Sequence, residues 1–231
     1  MAEGEPQPFH VVPDDPDERL KQVVDFWNEG EMDYPAELNP TLEKHFDQLT
    51  GSRGNLKVLV TLCGKAEDLR WLSDKGHYVV GVDIAEKAAV DFFSEQRLEY
   101  TTEDVPAING KVFTSKTGQL KYYCGNFFTF SQELEGVFDV IWDAAGFVSL
   151  DKRDWDKYLS VWRTLLSPTC VFFFETMDYD RRKFKGPPYS MEPDEIKGVF
   201  GSEMPNLQLV ETRPNVECEG FTFNFYCLRR H

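Results

Sequence analysis

The chain has 231 residues, 41% of them hydrophobic and 14% aromatic, which is enough to bury a core and excludes global disorder. Lys and Arg total 25 against 40 Asp and Glu, a formal charge of -15. That balance argues against nucleic acid and against anionic lipid, because both are gripped by clustered cations. Five cysteines with no CxxC pair and four scattered histidines give no zinc constellation, so no metal is expected and the thiols read as reduced. No apolar run approaches the ~20 residues that cross a bilayer. The opening MAEGEPQPFH has no apolar h-region. A cytoplasmic protein without a membrane partner is the expectation.

Residues 1–15 are rich in Pro and acids and are expected to be a flexible lead-in. Asp15-Pro16 reads as a helix start, followed by Leu20, Val23, Val24 and Trp27 at helical spacing and stopped by Gly30. Asn39-Pro40 starts a second helix with Leu42, Phe46 and Leu49 on one face. Residues 16–50 are expected to be a helical extension or lid on a single domain over 16–231.

From residue 56 the pattern changes. Leu56–Leu62 is a buried strand ending at Cys63-Gly64, followed by a helix over 65–75. Tyr78–Asp83 is a second strand and 86–97 a second helix. A polar loop from 99 leads to segments 111–115 and 119–124, which flank Lys116-Thr117-Gly118 as a hairpin. Phe138–Asp143 is a strand, Asp151 caps a helix to about Leu166, and Cys170–Thr176 is another strand. A loop around Gly186-Pro187-Pro188 leads to a helix at about 193–200. Strands near 207–213 and 221–228 are joined too briefly for a crossover and should pair antiparallel. Alternating strands and helices predict an α/β fold with a doubly wound, mainly parallel sheet.

Ligands of such sheets bind at the carboxyl ends of the strands. GxGxxG and GxxxxGK[ST] are both absent, which speaks against NAD(P) and ATP. Gly64 opens the first helix, either as a turn residue or to let backbone approach a ligand. Asp83 ends the second strand 19 residues later. It can accept the two hydroxyls of a ribose, or cap the next helix with Glu86 three residues on. Gly125-Asn126-Phe127-Phe128 could set a polar side chain and a ring beside a base. Asp143 ends the Phe138 strand and can take a proton, hold a cation, or accept backbone N–H groups.

These residues converge on one resemblance. Val60-Thr61-Leu62-Cys63-Gly64-Lys65-Ala66 is similar to the turn of the thiopurine S-methyltransferase family, class I enzymes dependent on S-adenosylmethionine (SAM). The similarity runs on through WLSDKGHYVVGVD, Phe92-Phe93, Gly125–Phe128, FDVIWD, Tyr179-Asp180 and Gly186-Pro187-Pro188, with Trp27 and Gly30 in the extension. It covers about residues 20–228. It implies a Rossmann-like methyltransferase fold, SAM as cofactor, S-adenosylhomocysteine as product, a small-molecule acceptor and a monomer. It also implies roles. Trp27 would close over SAM, Leu62 and Gly64 would line its methionine side, Asp83 would take the ribose hydroxyls, and Asn126 and Phe127 would flank adenine. Tyr34 would touch the acceptor.

The chain diverges from that pattern at two positions. Vertebrate thiopurine enzymes carry Arg after the WD pair, where this chain has Ala144, and the first of their two helix tryptophans is Val23 here. Losing a fixed, always-charged fork bears on the acceptor rather than on the cofactor. A thiol sulfur is the expected acceptor, since thiols are intrinsically nucleophilic and need little help from a base. Asp143 is the candidate catalytic group, with Asp33 and Tyr34 beside it if the acceptor is oxygen or nitrogen. An amine, hydroxyl, halide or chalcogen acceptor is the alternative, and a non-catalytic SAM-binding protein the alternative of another class. Eleven carboxylates fall between Glu3 and Glu37. An acidic lid is expected to suit a sulfonium and neutral or cationic acceptors.

Overall fold

Two proline-led helices come first in the computed structural model, which describes residues 11–32, 37–200, 206–216 and 219–229. In α1 (Pro16–Glu29) the Asp15 carboxylate accepts the N–H groups of Asp17 and Glu18; in α2 (Pro40–Thr50) the Asn39 side chain does the same for Thr41 and Leu42. Both caps satisfy donors that a helix start otherwise leaves orphaned. Within the expected lead-in, Arg19 donates to the carbonyls of Pro13 and Asp14, and Arg153 to the Asp14 carboxylate.

The sheet follows as β1 (Lys57–Thr61), α3 (Asp68–Asp74), β2 (Tyr78–Asp83), α4 (Glu86–Glu95), β3 (Tyr100–Val105), β4 (Gly110–Ser115), β5 (Leu120–Cys124), α5 (Gln132–Glu135), β6 (Phe138–Asp143), α6 (Gly146–Ser149), α7 (Trp155–Leu165), β7 (Leu166–Asp178), α8 (Pro193–Phe200), β8 (Gln208–Pro214) and β9 (Thr222–Arg229). The described strands form one sheet in the order β3-β4-β5-β2-β1-β6-β7-β9-β8. The five from β5 to β7 run parallel; β3, β4, β8 and β9 add antiparallel pairs at the two edges. The chain winds outward from β1 to β2 and β5, then returns to the other side of β1 with β6. That reversal is the switch point.

Alternate residues of the central strands enter opposite cores. Leu59, Val80, Ile141 and Phe172 pack with Tyr158 and Trp162 of α7 and Phe200 of α8. Val58, Val60, Val79, Val140 and Phe173 pack with Phe92 of α4, Leu69 of α3, and Leu42 and Phe46 of α2. The two helices of the extension therefore differ. Phe46 of α2 meets Trp71, His77 and Phe173, so α2 is a layer of the core. Only α1 lies outside, with Trp27 packed on Ala85 and Ala88.

Four elements depart from the sequence reading. Tyr100–Val105, expected within a loop, is the edge strand β3. Its side chains are exposed and carry no alternation, because an edge strand needs only backbone pairing, and Glu103 and Asp104 guard its open side. The short α5 and α6 carry no sequence expectation. β7 runs from Leu166, well ahead of Cys170, across an irregularity in its pairing with β6. No described helix is long and apolar enough to cross a membrane.

Candidate functional site

β1 ends at Thr61 and the chain turns sharply. Leu62 and Gly64 both adopt φ of +47°. This folds the turn back so that the Cys63 N–H reaches the Val82 carbonyl at 3.2 Å. A Cβ on Gly64 would sit 3.2 Å from the Trp27 ring. Gly64 is thus required twice, by its left-handed backbone and by the indole laid across it. Cys63 is buried, and burial holds its thiol well above the ordinary range, so it packs rather than reacts.

Asp83 stands at the end of β2. One carboxylate oxygen accepts the Gly64 N–H at 2.9 Å and the other the Ala85 N–H at 3.2 Å. It fixes the β1 turn, and it does not cap α4, whose preceding residue is Ala85. The box with Glu86 therefore does not form. Burial raises the Asp83 pKa, opposed by its backbone donors from Gly64, Ala85 and Ile84.

Beyond β5, the Asn126 side chain accepts the Phe128 N–H at 2.9 Å, and the Asn126 backbone N–H donates to the Ile108 carbonyl at 3.1 Å. Phe127 is buried with its ring 5.1 Å from that of Tyr158. A cavity of about 1010 Å³ opens between α1 and these strand ends, walled by Leu20 and Val24 on one side and by Ile84, Ile108, Gly125 and Asn126 on the other. Of the residues expected at the cofactor site, Asn126 lines this cavity; Trp27, Gly64 and Asp83 form a buried contact of their own beside it, next in the chain to the lining Ile84.

On the other side of β1, Asp143 is wholly buried. Both its oxygens lie 3.1 Å from the Phe147 N–H, and the Tyr158 hydroxyl donates to it. That hydroxyl also meets Thr61 Oγ1 at 2.8 Å. Burial pushes the carboxyl up to about 6, against the pull of Tyr158 and the backbone donors. A Cβ on Gly146 would come within 2.9 Å of Leu62 and 3.2 Å of Asp143, so Asp143, α6 and the β1 turn are one packed unit. Ala144, next in the chain, is exposed. Tyr34 and Asp33 lie outside the described residues.

Several contributors were not expected. Tyr158 and Thr61 reach Asp143 from a helix and a neighbouring strand, and neither carries a motif. Asp68 accepts the Asn39 N–H at 2.8 Å and the Trp142 indole N–H at 2.7 Å. Glu175 accepts from the Asn39 side chain at 2.8 Å and from Arg213. This buried network fixes where the chain enters α2. A second cavity, of about 280 Å³, lies beyond the end of β7 among Lys152, Tyr179, Arg181, Lys185, Tyr189 and Ser190.

This arrangement is met in known proteins. Across 96% of its length the fold matches a Burkholderia thailandensis 1,6-didemethyltoxoflavin-N1-methyltransferase with bound S-adenosylhomocysteine, at a TM-score of 0.65, 16% identity and 93% coverage of that chain. It also matches the Synechocystis magnesium protoporphyrin IX methyltransferase with bound SAM, at a TM-score of 0.60 and 15% identity, over 92% of this chain and 97% of that one. In sequence, a probable thiopurine S-methyltransferase of Danio rerio is 36% identical over 84% of each chain. The thiopurine S-methyltransferase of Rattus norvegicus is 38% identical over 74% of this chain and 71% of its own. The family model for thiopurine S-methyltransferase matches residues 21–220, from α1 through the last loop. A glycine turn under a helix-borne tryptophan, a strand-end acid and a switch-point cleft therefore have a common origin: the chain belongs to the thiopurine S-methyltransferase family of SAM-dependent small-molecule methyltransferases.

Proposed function

We propose that the chain methylates the thiol sulfur of a small molecule, binding SAM in the cleft between α1 and the ends of β1, β2 and β5. The observation that carries this reading is the Gly64 cradle. A left-handed glycine lies under Trp27, its N–H is held by Asp83, and an adjoining cavity is large enough for an adenosyl group. Asp83 would take the ribose hydroxyls, Asn126 and Phe127 would flank adenine, and Leu62 and Gly64 would line the methionine arm. SAM supplies an electrophilic methyl carbon on a sulfonium.

The chain's own residues align and enclose. Trp27 shuts water out from above the turn. Asp143 lacks an open face toward a substrate; its oxygens hold the Phe147 N–H and the Tyr158 hydroxyl. It acts in this reading by positioning, fixing α6 and Leu62 where the acceptor sulfur must approach in line. The acceptor's proton leaves to solvent, its sulfur pair forms the new S–C bond, and the sulfonium C–S bond breaks to a neutral thioether. A thiol with a pKa of about 8.5 does this near neutral pH without a dedicated base. The net charge of -15 favours a cytoplasmic protein with no nucleic-acid partner, and a monomer is the expected state, which light scattering on the purified protein checks.

Calorimetry with SAM and S-adenosylhomocysteine, followed by turnover of thiophenol against aniline and phenol, tests the proposal. Binding of both ligands and S-methylation alone are expected. Binding without turnover of any acceptor would leave a SAM-binding protein, and product only on nitrogen or oxygen would reject the thiol.

A further inference from the structure

The helix α1 is fastened at two places, and they differ in kind. Near its end, Trp27 packs on Ala85 and Ala88 and lies across Gly64. Near its start, Arg19 and Asp154 form a fork. The Arg19 Nε donates to one carboxylate oxygen at 2.7 Å and an Nη to the other at 2.9 Å. The two side chains are only 11% and 7% exposed.

The surroundings set this fork apart from an ordinary surface pair. Asp154 immediately precedes α7, where an aspartate commonly accepts N–H groups of the first turn, yet its carboxylate makes no such cap. Both oxygens turn instead to Arg19. Arg19 also donates to the carbonyls of Pro13 at 3.1 Å and Asp14 at 2.7 Å, in the segment that leads into α1. Arg153, next to Asp154, reaches the same segment from the other side, at the Pro13 carbonyl (2.9 Å) and the Asp14 carboxylate (2.6 Å). The Asp14 carboxylate is exposed, so that pair adds little by itself. The buried fork carries the fastening, and a bidentate guanidinium fixes direction as well as distance.

The spacing along α1 makes the fork a lever on the cofactor side. Arg19, Val23 and Trp27 recur every four residues and share one stripe of the helix. Eight residues of helix span about 12 Å. Leu20 and Val24, beside that stripe, wall the first cavity. Trp27 is the buried residue of α1, and the alanines under it offer little area, so the apolar end alone does not fix the helix. At the other end, α7 carries Tyr158, about one turn beyond Asp154, which donates to Asp143 and meets Thr61. Through α1 the turn before α7 is therefore joined to the Gly64 turn, with the first cavity beneath the helix.

Resting on the SAM-binding reading above, we infer that Arg19 and Asp154 are positioning residues for the cofactor: their fork holds α1 across the first cavity, keeps Trp27 on Gly64, and sets how fast SAM and S-adenosylhomocysteine leave. Neither residue touches the cofactor. The fork acts through α1, which must lift before the ligand can pass. A determinant of cofactor residence thus lies on the β6 side of the switch point, away from the glycine turn and the strand-end acid.

The test uses the full chain loaded with S-adenosylhomocysteine. Tritiated ligand is chased with unlabelled ligand to read release, and hydrogen exchange with mass spectrometry reads the opening of α1. In Arg19→Met, release should be at least about tenfold faster, since truncating one partner of a buried charge pair acts mainly on dissociation. Amide protection in α1 should fall at least about tenfold, while β1, β2 and β6 exchange as in the parent. Tritiated SAM should be released faster by the same factor, because the effect is on the helix and not on the sulfonium charge. Arg19→Met leaves Asp154 buried without a partner; Arg19→Met with Asp154→Asn removes that charge as well and should release as fast, which guards against mere unfolding. Arg19→Lys keeps the charge without the fork and should recover part of the residence time. Lys197→Met, a loss of equal charge on the exposed side of α8, should change neither measurement. Release at the parent's rate in both Arg19→Met chains, faster release with unchanged exchange in α1, or a loosened α1 with unchanged release would each overturn the inference. If the parent binds neither ligand, the SAM reading fails and this inference with it. If the parent binds both and the variants hold them as long, only the role of the fork fails.

Discussion

The two cavities are built from different materials. Beside the first lie a strained turn, a buried carboxylate and an indole, all within three residues of a strand end or on one helix face. The second is walled by long cationic side chains from the β7 loop and the turn before α7, steadied by rings and by Glu195. Backbone and buried groups are costly to move, whereas lysine and arginine stems adapt cheaply. A cofactor that never varies suits the first, in the proposed mode of binding.

The largest effect should come from beside the first cavity. In the proposed mode of binding, Asp83→Ala removes the partner for two ribose hydroxyls, each bond to a charged group being worth about 1.5–3 kcal/mol, so SAM affinity should fall at least about 100-fold. Calorimetry measures it. An unchanged affinity would mean that SAM lies elsewhere and would dissolve the contrast between the two cavities.

Gly64→Ala comes next. The new methyl would sit 3.2 Å from Trp27 on a residue at φ +47°. The strained backbone alone should cost about 1–2 kcal/mol of stability. SAM should bind about tenfold more weakly as the indole is lifted, a ratio equal to about 1.4 kcal/mol. Groups in contact are energetically coupled. Trp27→Phe, with its smaller ring, should therefore recover part of the stability lost in the double variant, read from urea unfolding.

The Asp143 unit between the two cavities should show itself in the pH dependence of stability. Burial raises its carboxyl from 3.8 to about 6, so the folded state holds the proton more tightly than the unfolded one. Its contribution is full below about pH 4 and is lost as pH rises through about 6, a change of roughly 3 kcal/mol. Asp143→Asn should remove that decline. Asp68, raised to about 6 mainly by burial, has the same sign and leaves a residual slope in the variant. An identical pH profile for variant and parent would show that the Asp143 carboxyl holds its proton no more tightly in the folded chain than in the unfolded one.

The same contrast explains what could be read in advance. The β1 turn, the Asp83 strand end and the parallel order are written in short contiguous segments, where a glycine, an acid and an apolar run each have one dominant physical meaning. β3 escaped because Thr101 to Asp104 bury nothing, and edge pairing leaves no hydrophobic period. α2 was grouped with α1 because a cap and an amphipathic face look alike on a cover and on a core layer; only the contacts of Phe46 separate them. Tyr158 reaches Asp143 across 15 positions and Asn39 reaches Glu175 across 136, distances that no local pattern encodes. Lys152 and Arg181 read as ordinary surface charges until the fold brings them to one cavity.

The smallest expected effect bears on the acceptor. Ala144→Arg restores the residue found after the WD pair in vertebrate relatives, on a side chain that is exposed here. One exposed cation at the end of β6 adds little, since exposed charge contacts are worth about 0.2–1 kcal/mol at most. KM for para-mercaptobenzoate, relative to thiophenol, should then fall by about twofold, within that range. A tenfold gain would show that the new guanidinium is enclosed with the acceptor's carboxylate, and that residue 144 belongs to the acceptor site.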